Sequence, residues 1–134
     1  MTDCIFCKII KNEIPCDKIY EDKDVIAFLD IKPINKYHTL VIPKKHYVNI
    51  TDVPENELAK VIKVVKKLSI AILKLCDGVN ISQSNKKHAG QVVDHIHFHI
   101  MPRFKDDGFK LWGGKEISSN ERKENVEKIK SYLK

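Results

Sequence analysis

Apolar residues recur at steps of three and four between Asp52 and Gly78, and this spacing predicts one long amphipathic helix. The apolar stripe comprises Leu58, Val61, Ile62, Val65, Leu68, Ile72 and Leu75. We expect Asp52 to cap the amino terminus of the helix, with Pro54 in its first turn, and Gly78 to end it in a left-handed conformation. The helix is therefore predicted to be a structural element that packs one face on a core.

Short runs of β-branched and apolar residues on either side of this helix predict the strands of a sheet. Strands are expected over residues 16–20, 25–29, 38–42, 79–83 and 95–101, with a short helix over 4–10 and a charged helix over about 119–133. The strands are clustered and do not alternate with helices. The pattern therefore favours an α+β fold with an antiparallel sheet, one long central helix and a C-terminal helix.

Length and composition are those of one ordinary globular domain. The chain has 134 residues, of which 43% are hydrophobic and 31% charged. Its apolar runs fall short of the ~20 residues of a membrane span, and its first residues lack the basic-then-apolar plan of a signal peptide. We therefore expect a cytoplasmic protein with no membrane partner.

The net charge of +6 raises the question of an anionic partner. The lysines are spread over the whole chain, with isolated pairs such as Lys44-Lys45 and Lys86-Lys87, and no recognised nucleic-acid motif interleaves them. We interpret the charge as a solvated lysine-rich surface. This interpretation argues against a nucleic-acid partner and is compatible with a small phosphorylated ligand.

Three histidines alternate with apolar residues between His95 and Met101. In a strand, the period of two places His95, His97 and His99 on one face and the intervening apolar residues on the other. Three aligned imidazoles are unusual on a face that is merely exposed to solvent, so we interpret this segment as a functional site. Two chemistries can use it, a metal site or nucleophilic attack on phosphorus by a neutral imidazole, and the spacing alone does not choose between them.

The four cysteines do not form the framework of a small disulfide-rich protein, because we expect a reducing cytosol. Cys4 and Cys7 make a C-x-x-C, which is typical of a metal site or a redox pair. Cys76 falls on the apolar face of the long helix and is expected to be a core residue. Cys16 has no partner pattern.

The histidine segment resembles the His-φ-His-φ-His-φ-φ pattern of the histidine triad (HIT) superfamily, where φ is apolar. Further segments, at 12–15, 27–31, 38–46 and 89–93, are similar to those of Hint-type members of that family. The resemblance covers residues 4–103, about three quarters of the chain. It implies a HIT-like fold over a single domain, 1–134, with a core over about 4–103 and a variable tail over 104–134.

The resemblance also implies a nucleotide hydrolase or transferase. In the family, the middle histidine of the triad, here His97, attacks the α-phosphorus of a nucleoside phosphoramidate or a dinucleoside polyphosphate. Water then opens the covalent nucleotidyl-histidine and releases a nucleoside monophosphate. The residues implied to bind a purine nucleotide are Phe6, Phe28, Asp30, Ile31, Asn85, Gly90, Gln91, Val92 and His99.

The implied roles divide among three parts of the nucleotide. Asp30 binds the ribose hydroxyls, whereas Phe6, Phe28 and Ile31 form a slot for the base. The remaining residues line the phosphate and the leaving group, and His38 is a supporting polar residue. Hint proteins carry a serine where this chain has Val92, so the resemblance leaves open a preference for diadenosine polyphosphates over phosphoramidates.

Zinc-containing members of the family pair two cysteines with two histidines. By that resemblance the ligands here are Cys4, Cys7, His46 and His95, which form a closed structural zinc site. Empty, reduced thiols are the alternative, since some relatives lack these cysteines. The resemblance also implies a homodimer.

Two further hypotheses belong to other functional classes. In the first hypothesis, the chain is a zinc-containing, purine-nucleotide-binding regulatory module whose catalysis is incidental. Its function then tolerates His97→Ala. Alternatively, His95, His97 and His99 ligate a catalytic metal, in which case chelators abolish activity directly.

Overall fold

The structure, a computed structural model, describes residues 3–133. Five strands form one antiparallel sheet in the order β1-β2-β3-β5-β4, which confirms the α+β class predicted from the sequence. The elements are α1 (Ile5–Ile10), β1 (Lys18–Glu21), β2 (Val25–Leu29), β3 (Thr39–Pro43), α2 (Glu55–Ile72), β4 (Gly78–Ser82), a 3₁₀ turn (Lys87–Ala89), β5 (Phe98–Arg103) and α3 (Ser119–Tyr132).

The central strand β3 is buried along its whole length because both faces of the sheet are covered. On one face, Val41 and Ile100 pack in a cluster with Val61 and Val65 of α2. On the other face, the cluster comprises Phe6, Ile9, Ile26, Phe28, Leu40 and Ile42, of which the first two belong to α1. Alternate residues of β3 therefore enter two different cores, which explains its nearly continuous apolar sequence.

Helix α2 is shorter than predicted at both ends. Pro54 occupies its cap position without a side-chain hydrogen bond, whereas the Asp52 carboxylate accepts the backbone N–H groups of Val48 and Asn49. A proline disfavours helical backbone in the residue before it, so Val53 stays outside the helix. Pro54 itself has extended backbone, and the helix begins at Glu55. Gly78 has no left-handed conformation and opens β4, so the predictions of an Asp52 cap and a Gly78 end were wrong.

The apolar stripe of α2 was correct in its centre and wrong at two positions. Val61, Val65, Leu68 and Ile72 are buried, but Ile62 is 44% exposed and Leu75 is 54% exposed. Leu75 lies beyond the last helical turn, and so does Cys76, which nevertheless packs half-buried against the same core. The prediction that Cys76 contacts the core was therefore correct, but the prediction that it lies on the helix was wrong.

The histidine strand is displaced from its predicted range, since β5 begins only at Phe98. The backbone bends at His95, and the N–H of Ile96 donates to the carbonyl oxygen of Tyr47, 2.7 Å away. Ile96, Phe98 and Ile100 are all buried in the cluster against α2, as the period of two predicted. The prediction was thus correct for the apolar face and wrong for the start of the ladder.

The two ends of the fold differ in how closely they follow the prediction. Strand β1 occupies Lys18–Glu21, two residues later than its predicted start at residue 16. Helix α3 has the predicted bounds to within a residue, is capped by the Ser118 hydroxyl and buries no side chain. Within residues 3–133, no helix is both long and apolar enough to cross a membrane.

Candidate active site and metal cluster

His97 is held by a backbone carbonyl in the bend before β5. Its Nδ1 lies 2.8 Å from the carbonyl oxygen of His95, and a carbonyl oxygen can only accept. Nδ1 of the neutral ring therefore carries the proton, and Nε2 keeps a free lone pair. Phe6 packs edge-on against the ring, with centroids 5.1 Å apart, and His97 is only 6% exposed. The geometry presents one nucleophilic nitrogen in a fixed orientation.

His95 is fixed in the opposite tautomer. Its Nε2 lies 2.8 Å from the carbonyl oxygen of Pro43, so Nε2 carries the proton and Nδ1 does not. That free Nδ1 lies 3.5 Å from the sulfur of Cys4 and 3.6 Å from the sulfur of Cys7. The side chain of His95 thus faces the cysteines, while its carbonyl oxygen orients His97.

His38 and His99 form a directed hydrogen-bond chain. The backbone N–H of Ile34 donates to Nδ1 of His38 at 3.1 Å, which leaves the His38 proton on Nε2. This Nε2–H donates to Nδ1 of His99, 3.0 Å away, so the His99 proton lies on Nε2. The His97 and His99 rings are adjacent, with centroids 5.0 Å apart. A nucleophile and a hydrogen-bond donor therefore lie side by side.

Burial keeps these rings neutral. It lowers the pKa of His97 and of His38, although the nearby Asp30 carboxylate opposes the shift in both. The pKa of His99 falls to about 4, first because of burial and then because of His97 and His38 beside it. At neutral pH the tautomers assigned above are therefore the populated states.

The predicted metal ligands come together as one cluster. The ligand atoms of Cys4, Cys7, His46 and His95 all lie within 4.8 Å of one another. Nδ1 of His46 lies 3.4 Å from the Cys7 sulfur, and the two His95 separations are 3.5 and 3.6 Å. A tetrahedral zinc ion with ordinary bond lengths sets a sulfur–nitrogen edge of about 3.6 Å. The donor set and its spacing therefore fit a tetrahedral metal ion.

The outer hydrogen bond of His95 supports the same conclusion. A metal-ligating histidine ordinarily donates its other N–H to an oxygen acceptor, and Nε2 of His95 donates to Pro43 in this way. Asp30, His38 and His99 also bring three possible ligand atoms within 4.8 Å. There, however, Nδ1 of His38 accepts the N–H of Ile34, so its Nε2 keeps a proton and no lone pair. This second cluster is built as a hydrogen-bond chain, not as a metal site.

The residues predicted for the ribose and base lie near the triad to different extents. The Asp30 carboxylate lies 3.6 Å from Nε2 of His38, with one oxygen held by the N–H of Lys32. Phe6 and Phe28 are buried and pack edge to face, with centroids 5.7 Å apart. Ile31 is 86% exposed. Phe6 thus contacts the triad directly, Phe28 packs on Phe6, and Asp30 lies beside His38. Ile31 stands in solvent.

The residues predicted for the phosphate side are mostly engaged elsewhere. The amide nitrogen of Gln91 donates to the carbonyl oxygens of Val48 and Val93, and its oxygen accepts the N–H of Lys86. The N–H of Gly90 donates to the carbonyl oxygen of Lys87, in a left-handed conformation that favours glycine. These groups hold the loop together and are not free to donate to a phosphate.

Asn85 and Val92 complete the predicted phosphate side. Asn85 forms paired amide hydrogen bonds with Gln83 and accepts the N–H of Ile50, so it also joins two loops. Val92 is 91% exposed, and within residues 3–133 its backbone N–H has no acceptor in hydrogen-bonding range. Val92 therefore offers an exposed, free backbone donor on the side predicted to face the phosphate.

Sequence reasoning underestimated His38 and missed three backbone groups. His38 was expected only to support the site, yet it determines the tautomer of His99. The N–H of Ile34 and the carbonyl oxygens of Pro43 and His95 fix the rings, and no side-chain pattern signals a backbone group. The thirteen residues from residue 34 to 46 do, however, include two of these three partners and two histidines.

Comparisons with known proteins identify the family of the chain. A family model described as HIT domain matches residues 11–106. An uncharacterized HIT-like protein of Methanocaldococcus jannaschii is 50% identical over 128 residues, which cover 95% of this chain and 98% of the relative. Adenosine 5′-monophosphoramidase HNT1 of Candida albicans is 41% identical over 140 residues, covering 97% of this chain and 91% of the relative.

A solved structure extends the likeness to three dimensions. The crystal structure of a zinc-bound histidine triad family protein from Mycobacterium smegmatis superposes with a TM-score of 0.78 at 33% identity, covering 98% of this chain and 99% of that one. The chain belongs to the HIT family. The predicted family and the predicted HIT-like fold are thereby confirmed.

The depressed pKa of His99 predicts how stability depends on pH. The unfolded side chain titrates near 6.5 and the folded one near 4, so between these values the unfolded state binds more protons. The free energy of unfolding is therefore expected to fall as the pH drops from about 6.5 to about 4. Urea titrations at several pH values measure this slope.

The variant His99→Gln removes this titration while keeping a polar side chain next to His38, His97 and Asp30. It should lose stability less steeply with falling pH than the wild type. The matched control is His88→Gln, because His88 is exposed in its loop and should leave the slope unchanged. A full wild-type slope in His99→Gln contradicts the assignment of a buried neutral His99.

Proposed function

We propose that this chain is a nucleotide hydrolase that cleaves at the α-phosphate of nucleoside phosphoramidates or dinucleoside polyphosphates through His97. The supporting observation is the hydrogen bond from Nδ1–H of His97 to the His95 carbonyl oxygen, which leaves Nε2 free to attack. The Candida albicans relative is named as an adenosine 5′-monophosphoramidase, which is the same class of reaction.

The first step forms a bond between Nε2 of His97 and the α-phosphorus, while the bond from phosphorus to the leaving nitrogen or oxygen breaks. The leaving group takes up a proton from solvent. The phosphorylated ring of His97 then carries a positive charge, and its Nδ1–H still donates to the His95 carbonyl oxygen. Such a charge-assisted hydrogen bond stabilises the intermediate more than the free enzyme.

The second step transfers the nucleotidyl group to water. A water oxygen bonds to phosphorus, the bond to Nε2 breaks, and the proton of the water returns to solvent. Nε2–H of His99 donates to a phosphate oxygen in both steps, because the His38 hydrogen bond keeps its proton on that side. The products are a nucleoside monophosphate and the free leaving group.

The nucleotide itself is placed by the groups around the triad. The Asp30 carboxylate accepts the ribose hydroxyls, and the edge of the Phe6–Phe28 pair contacts a purine base, with Ile31 closing over it. The free N–H of Val92 is the donor for the leaving-group side. Because Val92 brings no hydroxyl, no side chain there donates a proton to the leaving group. This favours polyphosphates, which leave as anions, over amines, which need a proton to leave.

Replacing His97 tests the chemistry. His97→Ala should reduce release of adenosine monophosphate from adenosine 5′-phosphoramidate and from diadenosine tetraphosphate by roughly 10³-fold or more, because the nucleophile is lost. The matched control His88→Ala removes an exposed histidine and should keep wild-type rates. The measurement is chromatographic quantification of the released nucleotide, and the ratio of the two wild-type rates defines the preferred leaving group.

The alternative functions predict different results. Equal rates in His97→Ala and wild type contradict covalent catalysis at this residue. A wild type that binds both nucleotides but releases nothing from either supports the regulatory nucleotide-binding module.

We also propose that the metal cluster holds a structural zinc ion. Cys4, Cys7, His46 and His95 would fill all four positions of a tetrahedron, so the ion supplies folding energy and no reactive position. It would join α1 and its cap residue Cys4 to the bend at His95, two residues before His97. The zinc-bound relative from Mycobacterium smegmatis supports this choice of metal.

Zinc content and stability test this site in a pair of cysteine variants. Cys7→Ser should lose most of the bound zinc and unfold several degrees lower than the wild type, because one thiolate ligand is gone. Cys16→Ser should retain about one zinc ion per chain, since Cys16 lies outside the cluster. Elemental analysis and thermal unfolding measure both effects.

The time course of chelation separates the structural zinc from a catalytic metal. A chelator should inactivate the protein slowly and in step with unfolding. Immediate loss of activity in a folded protein contradicts the structural role, and equal zinc in Cys7→Ser and wild type contradicts the site.

We propose finally that the chain works in the cytoplasm as a homodimer. Large apolar side chains remain exposed near the end of α2 and on the edge strand β4, among them Ile70, Leu73 and Ile81. Burial of such a surface favours association. Sedimentation equilibrium should give twice the chain mass, and a monomer at micromolar concentration contradicts the proposal.

A further inference from the structure

A half-buried ion pair lies at the far end of β5 from the triad. Arg103 binds the Asp107 carboxylate side-on, with Nε donating to one oxygen and Nη2 to the other, at 2.8 and 3.0 Å. The backbone N–H groups of Phe104 and Phe109 donate to the same carboxylate. These bonds hold the pKa of Asp107 far below its usual range, so the anion persists at every pH of interest.

One further donor reaches this carboxylate from a distant part of the chain. Nδ2 of Asn35 donates to Asp107 at 3.0 Å and to the carbonyl oxygen of Pro102 at 2.8 Å. Both N–H groups of the Asn35 amide are therefore used outside its own loop. Since β3 pairs with β5 only as far as Thr39 opposite Ile100, Asn35 extends the attachment beyond the end of this ladder.

The loop that Asn35 fastens is the one that sets the tautomer of His38. The residue before Asn35 is Ile34, whose N–H donates to Nδ1 of His38. The carbonyl oxygen of Asn35 itself accepts the N–H of His38 at 3.3 Å. Movement of Asn35 would therefore displace both the backbone of His38 and the donor that defines its ring.

The strand to which Asn35 is fastened also carries His99. Asn35 contacts Pro102 and Asp107 at one end of β5, and His38 contacts His99 at the other. The loop is thus held to β5 at two points. The attachment through Asn35 keeps His38 aligned with His99, because a hydrogen bond of 3.0 Å between two rings tolerates little displacement.

We propose that Asn35, anchored by Asp107, is a positioning residue that keeps His38 in the tautomer required to orient His99. This inference rests on the proposed function for its effect on turnover. Its structural part concerns the ligand-free protein and stands independently of any activity.

Two asparagines on the same ion pair provide a matched test. Asn80 accepts a hydrogen bond from Nη1 of Arg103 at 3.0 Å, but it lies in β4 and, within residues 3–133, its side chain makes no hydrogen bond to the loop of His38. If the ion pair acts only as a structural support, Asn35→Ala and Asn80→Ala should have similar effects. If Asn35 positions His38, only Asn35→Ala should change the ring nitrogens of His38.

The experiment combines kinetics with nitrogen-15 spectra of the histidine rings in the ligand-free protein. Asn35→Ala is expected to lower kcat for adenosine 5′-phosphoramidate by about 10- to 100-fold with little change in KM. The His38 spectrum should lose the pattern of a protonated Nε2 bonded to His99. Asn80→Ala should keep the wild-type kcat and spectrum.

The outcomes separate this inference from the proposed function. A wild-type His38 spectrum in Asn35→Ala, or equal changes in both variants, overturns the positioning role. Should the wild type release no nucleotide, the proposed function fails, while the spectra still decide the positioning role. Should Asn35→Ala fail to fold, the variant Asn35→Ser keeps one donor and is compared by the same spectra.

Discussion

The carbonyl oxygen of His95 is the constraint on which the site depends. By accepting Nδ1–H of His97 at 2.8 Å, it determines which nitrogen of that ring is free to react. The carbonyl is available because the chain bends at His95, before the ladder of β5 begins at Phe98. In a continuous strand, successive carbonyls point to neighbouring strands, and the ring of His97 would lack this partner.

Two surrounding structures hold this bend in place. On one side, His95 joins a cluster of two thiols and two imidazoles and donates to Pro43 of β3. On the other, the loop between β2 and β3 presents His38 to His99 and is fastened to the end of β5 through Asn35. The two apolar cores, one on each face of the sheet, exclude water from the side chains that lie beside them. The neutral state of the buried histidines follows from this burial.

The sequence predicted those features that depend on local periodicity. The alternation of Ile96, Phe98 and Ile100 correctly placed one face of the histidine segment on the core. The four residues that the family resemblance implied as zinc ligands lie together, although no local periodicity links them. The start of β5 was mispredicted because pairing with β3, and not side-chain pattern, sets where a ladder begins. Asp52 was misassigned for a similar reason, since the nearby N–H groups of a turn competed for its carboxylate.

The hydrogen bonds between distant loops were beyond sequence reasoning. Gln91 and Asn85 have amide groups of a kind that can donate hydrogen bonds to a phosphate. In the structure, however, these amides join loops that lie 35 to 43 residues apart. The bond from Asn35 to Asp107 spans 72 residues. Polar residues of this kind have no periodicity, so only the folded chain shows whether their donors are free.

We propose that the backbone carbonyl of His95 selects Nε2 of His97 as the nucleophile. The most direct test is to quench the wild-type enzyme in alkali during turnover of adenosine 5′-phosphoramidate, digest it and locate the adenylyl group. We expect the adenylyl group on Nε2 of His97. Attachment through Nδ1, or on another residue such as His99, would contradict the proposal.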